Sequence, residues 1–169
     1  MTDIKKDKIL LRLETLAEEI SAKVKDKKLI SDIKTILKVR QYRHFDKSIF
    51  KGATNNVADW AGEVAGYQAK LADIQVFIVD HQMTLKDAID AARKHLTHKY
   101  GSSFKGTSVS SRKADVDYYL EEPLMVLGRL DKVLKIATIA EKELERSYFS
   151  SQLVKALVEI SNRSGYARD

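Results

Sequence analysis

At 169 residues with one proline and seven glycines, the chain can bury a core but is too poor in turn residues for a loop-rich sheet protein, which needs a turn every ~8–12 positions. It has no cysteine, which removes disulfides, thiolate zinc sites, iron–sulfur clusters and cysteine nucleophiles together. Its formal charge of +6 equals that of residues 1–52 alone, with 14 Lys+Arg against 8 Asp+Glu, so the basic excess is local and points to an anionic partner.

A first helix is predicted from Asp3 to about Lys25. Leu10, Leu13, Ala17, Ile20 and Val24 recur at steps of three and four, which makes one apolar stripe. The run Lys23-Val24-Lys25-Asp26-Lys27-Lys28 breaks that pattern. A second helix follows Ser31 as N-cap, with Ile33, Ile36 and Leu37 on its apolar face. It should stop before Gly52.

The third segment carries the clearest signal. Val57, Trp60, Val64, Tyr67, Leu71, Ile74, Ile78 and His81 form a heptad seam, with Asn55 or Asn56 as cap. Thr84-Leu85-Lys86-Asp87 resembles a helix start, so one reading breaks the helix near Gln82-Met83. The preferred reading runs it unbroken to Tyr100, because no proline or glycine lies between Gly66 and Gly101. A glycine- and serine-rich loop follows. The chain restarts near Ser108 or Ser110, and Val116, Leu120, Leu124, Leu127, Leu130, Leu134, Ala137 and Leu144 give a long apolar face. Pro123 either kinks this helix or starts a new one. A last helix is predicted from Ser150 or Ser151 and ends at Gly165.

These elements predict an all-α protein, an elongated bundle of long heptad-patterned helices. Residues 1–52 form a basic N-terminal helical segment. Residues 53–169 form a helical oligomerisation and binding domain. The seam Val57, Trp60, Val64, Tyr67, Leu71, Ile74 and Ile78 is expected to be buried against a second copy, making a homo-oligomer. No stretch approaches ~18 apolar residues, so no membrane span is expected. The basic start lacks the apolar run of a signal peptide, and a cytoplasmic location is expected.

Catalytic motifs are missing. No phosphate-binding glycine loop occurs. Three Ser-x-x-Lys pairs lack their accessory motifs. His95 and His98 are three apart but have no Glu-x-x-His partner, and they read as a solvated basic helix end. No metal, no cofactor and no enzyme activity are expected. The informative signal is cations mixed with aromatics. Arg40, Arg43, Lys47 and Lys51 surround Tyr42, Phe45 and Phe50, as Lys and Arg that track phosphates and rings that stack on bases would. The same rings would equally close a core. Arg93, Lys94 and Lys99 form a second cluster at the end of the long helix, where the helix dipole also favours cations.

Further features lie in order along residues 53–166. Asn55-Asn56-Val57 opens a long helix with Trp60 on its seam. That helix ends in a basic stretch and Tyr100 before a glycine loop. Arg112-Lys113-Ala114-Asp115-Val116 follows, and then an apolar helix leads to Ile160-Ser161-Asn162-Arg163-Ser164-Gly165-Tyr166. This layout resembles the phage recombination-mediator proteins of the UvsY type. The resemblance implies a helical, ring-forming, non-enzymatic protein that binds single-stranded DNA. It also implies partnership with a recombinase and single-strand binding protein, and makes Arg93, Lys94 and Lys99 the binding residues. The alternative is a helical protein-interaction module, such as a phage assembly chaperone, adaptor or host-system inhibitor, whose basic clusters are only solvated. A double-stranded-DNA regulator ranks below both, since no short helix–turn–helix signature is present.

Overall fold

Every described element is helical, as the periodicity predicts: five α-helices and two short 3-10 turns. The computed structural model describes residues 4–38, 54–104, 106 and 108–163. Arg40, Arg43, Lys47, Lys51, the stops at Gly52 and Gly165, the boundary between residues 52 and 53, and the Val57 side chain lie outside the described residues.

Helix α1 (Lys8–Val24) starts after a 3-10 turn at Ile4–Lys6, later than the Asp3 start expected. Its N-cap is Asp7, whose Oδ1 accepts from the Ile9 N–H at 2.9 Å. That bond satisfies one of the helix's orphan donors. Leu10, Leu13, Ala17, Ile20 and Val24 are all buried, which is the predicted stripe. Burying such a face, at about 25 cal/mol per Å², is what stabilises so short a helix.

Lys25 ends α1 in the left-handed region, with φ 39°. Helix α2 (Asp26–Lys38) begins at once, with Asp26 in its first turn, where the helix dipole favours an anion. Ser31 therefore lies inside α2 and is not its N-cap; its carbonyl accepts from the Thr35 hydroxyl at 3.0 Å. The reversal at Lys25 has already restarted the helix, so Ser31 has no free end to cap.

Helix α3 (Thr54–Tyr100) runs 47 residues without a break. Asn55 and Asn56 fall within its first turn. The Thr84 hydroxyl donates to the Asp80 carbonyl at 2.9 Å, so it is satisfied inside the helix and starts nothing. In the heptad row, Trp60, Val64, Leu71 and Ile78 are buried, while Tyr67 and Ile74 are half-buried. Four of the seven seam residues are thus buried within the single chain.

Ser108 caps helix α4 (Val109–Tyr119) through a reciprocal box with Ser111. Helix α5 (Glu121–Arg163) follows after Leu120. Pro123 sits in its first turn, where a missing N–H leaves no bond unmade. The Leu124 N–H donates back to the Leu120 carbonyl at 3.0 Å, so Pro123 helps start a helix. No new helix begins at Ser150 or Ser151. Their hydroxyls donate to the carbonyls of Arg146 and Tyr148, at 2.9 and 2.6 Å, and α5 continues through them.

The chain divides into two compact units. The first is Met1–Leu29 with Val76–Leu134. Its buried residues include the α1 stripe, Leu85, Ile89, Ala92 and Leu96 of α3, Val116 of α4, and Leu130 and Val133 of α5. The Gln82 amide donates to Asp131 there. The second is Ile30–Gln75 with Lys135–Asp169. Ile33, Trp60, Val64, Leu71, Ala137, Ala140, Leu144 and Val158 are buried in it. The Gln75 amide donates to Glu141 Oε2 at 2.9 Å.

Candidate functional site

The last turns of α3 carry Arg93-Lys94-His95-Leu96-Thr97-His98-Lys99-Tyr100. Leu96 and Tyr100 are buried, which sets the rotation of the helix. His95 and Lys99, four apart, then share one face. That face meets Asp7.

The Asp7 side chain is 2% exposed. Its Oδ2 accepts from Lys99 Nζ at 2.8 Å, Tyr100 OH at 2.8 Å and His95 Nε2 at 3.1 Å. A carboxylate only accepts, so His95 Nε2 carries its proton toward Asp7. The Lys99 hydrogen bond, against the opposing push of burial, holds the Asp7 carboxyl well below the usual carboxylate range. His95, the Ile9 N–H and Tyr100 add to that effect. In return, Asp7 first and Tyr100 second push the Lys99 ammonium up. Asp7 therefore pins the start of α1 to the end of α3 within the first unit.

Arg93 is also engaged. Its Nε donates to Asp117 Oδ1 at 2.7 Å and its Nη1 to Asp90 Oδ1 at 3.1 Å. The Asp117 hydrogen bond, more than Asp90, raises the guanidinium's pKa. Arg93 thus ties α3 to α4. Lys94 and His98 are exposed. His95 is not a solvated end residue, as its spacing alone suggests. His81 is half-buried, with Nδ1 3.0 Å from the Phe77 carbonyl and its ring 4.4 Å from the Phe77 ring.

Arg93, Thr97, Val109, Arg112, Lys113 and Val116 line a groove of about 260 Å³. Arg112 Nε donates to the Gly106 carbonyl at 3.0 Å, and Lys113 is exposed. The groove joins apolar side chains to cations from the first turns of α4. A second cavity of about 480 Å³ is lined by Glu14, Glu121 and Glu122 against Lys5 alone, a balance that repels anions. Among the described residues, no group of three His, Cys, Asp or Glu could hold a metal, and no helix is long and apolar enough to cross a membrane.

Of the three cations picked out on α3, then, the fold engages Arg93 and Lys99 with carboxylates and leaves Lys94 at the surface. Sequence reasoning missed Asp7 as the hub and Arg112 and Lys113 as groove residues. Asp7 was legible as a cap, three residues before Leu10 at the head of the apolar stripe. Its partners on α3 had no local signal. No protein-family model, curated protein or solved structure matches the chain.

Proposed function

We propose that this protein is a non-enzymatic, single-stranded-DNA-binding accessory protein, similar in role to a phage recombination mediator. The observation that carries the reading is the groove beside α4. Val109, 89% exposed, offers apolar surface to a base, while Arg112 and Lys113 stand where phosphates would pass. Binding of that kind needs no sequence readout. Arg93 serves as a strut and Lys94 as a peripheral phosphate contact. A recombinase and a single-strand binding protein are the protein partners this role implies.

The test is anisotropy titration with a ~30-nucleotide oligomer at several salt concentrations. Nonspecific affinity should be micromolar or better at low salt and fall steeply as salt rises. Arg112→Ala with Lys113→Ala should shallow the log–log salt slope by about 1.4, at ~0.7 per lost contact to a single strand. Absence of binding by the natural protein at low salt overturns the proposal.

A second reading, a helical protein-interaction module without nucleic-acid binding, is favoured by one observation. Phe149 and Leu153, one turn apart on α5, are 80% and 64% exposed. Apolar side chains so presented are usual anchors for a partner groove. That reading predicts no salt-dependent oligonucleotide binding.

A further inference from the structure

Helix α3 carries a second heptad row beside the buried one. Within the first unit, Val76, Val79 and Met83 recur at steps of three and four and are exposed, Val76 by 70% and Met83 by 61%. Asp80 and Asp87, also exposed, run along the same side of the helix seven residues apart. The face is apolar, with Asp80 and Asp87 along one edge and Lys86 at the end of the other. On α5, within the second unit, Lys135, Ile139, Lys142 and Arg146 recur at steps of four, three and four, all exposed. That face is basic with an apolar residue, Ile139, set among its cations.

We propose that these two faces meet between two copies of this chain, the α3 face of one copy packing on the α5 face of the next. The occupant follows from complementarity. Seven residues of helix rise about 10.5 Å, so Asp80 to Asp87 and Lys135 to Lys142 have one spacing. Both charge pairs form at once when the helices pack at ~8–10 Å. Val76, Val79 and Met83 then cover Ile139 and the apolar stems of the lysines. Arg146, already 3.2 Å from Glu143, sits one turn beyond Lys142. Both faces are exposed on the single chain.

The contact joins two different faces, so it is heterologous. One such contact leaves an unused copy of each face, and assembly continues until a ring closes or a filament grows. The buried row from Trp60 to Ile78 takes no part. Nucleic acid is the other candidate for the α5 face, but it leaves the acidic α3 face unexplained.

Light scattering and sedimentation of the full chain at tens of micromolar test the proposal. The natural protein should exceed the 19.2 kDa of one chain. Asp80→Lys with Asp87→Lys should weaken association at least roughly tenfold, as like charges now face each other. Lys135→Glu with Lys142→Glu should do the same. The chain carrying all four substitutions should recover association to within about threefold, because the swapped faces complement again. All four positions are exposed, so circular dichroism should report unchanged helicity in each variant. The proposal is overturned by a 19.2 kDa natural monomer, by failure of the fourfold variant to recover while its helicity is intact, or by an α5 variant that loses oligonucleotide binding with its mass unchanged.

Discussion

The ammonium of Lys99 lies 2.8 Å from the carboxylate of Asp7, ninety-two residues earlier in the chain. A cation that the sequence offers to a phosphate is thereby an internal fastener. With His95 and Tyr100 on the same oxygen, the Asp7 carboxylate concentrates four hydrogen bonds on the start of α1.

Asp7→Ala removes the cap and leaves three donors without their acceptor. It should lower stability by about 2–4 kcal/mol, from a lost cap plus lost charge-assisted bonds. Asp7→Asn keeps an oxygen for the Ile9 N–H and should lose about half as much. Urea unfolding midpoints check both, and a loss under ~0.5 kcal/mol for Asp7→Ala rejects the hub.

The same cluster sets a pH dependence. The fold lowers the Asp7 pKa from 3.8, so its contribution is complete above the unfolded value and is lost as pH falls below about 4 toward the folded value. Lys99 is shifted the other way, up from 10.5. Its contribution is complete below the unfolded value and is lost as pH rises through the folded one. Melting temperature against pH should drop less steeply between about pH 4 and pH 2 for Asp7→Asn than for the natural protein.

Arg93 separates strut from binding residue. Arg93→Ala leaves Asp117 and Asp90 without their cation and should lower stability by about 1–2 kcal/mol. Its effect on the oligonucleotide salt slope should be under about 0.3, against about 0.7 for Lys113→Ala. A slope change in Arg93→Ala as large as that of Lys113→Ala contradicts the assignment.

Lys25 holds a left-handed backbone at φ 39°. A side chain there costs roughly 1 kcal/mol that glycine does not. Lys25→Gly should therefore stabilise the chain by up to about 1 kcal/mol, read as a higher urea midpoint. The residue is exposed, so no packing is lost.

Local repetition was readable and distant pairing was not. All five stripe residues of α1 are buried, because a period of 3.6 shows which face turns inward whatever covers it. The unbroken α3 was legible from the absence of proline and glycine after Gly66. Ser150 and Ser151 misled as helix starts, since a hydroxyl can cap a free end or bond back to the preceding turn, and only the fold decides which; Ser31 misled because α2 had already begun at Asp26. Arg93 and Lys99 read as phosphate contacts because Asp117 and Asp7, the carboxylates nearest them, are 24 and 92 residues away. Spacing along one helix cannot reveal an acceptor on another.

The wide separation of Asp7 from its partners also bears on synthesis. His95 lies 88 residues after Asp7. At roughly 5–20 residues per second, a ribosome needs about 4–18 seconds to supply it. Throughout that interval the face of Leu10, Leu13, Ala17, Ile20 and Val24 has emerged without the α3 surface of its own unit. The nascent chain is most open to aggregation then, and a rare-codon pause between α1 and the end of α3 would lengthen that exposure.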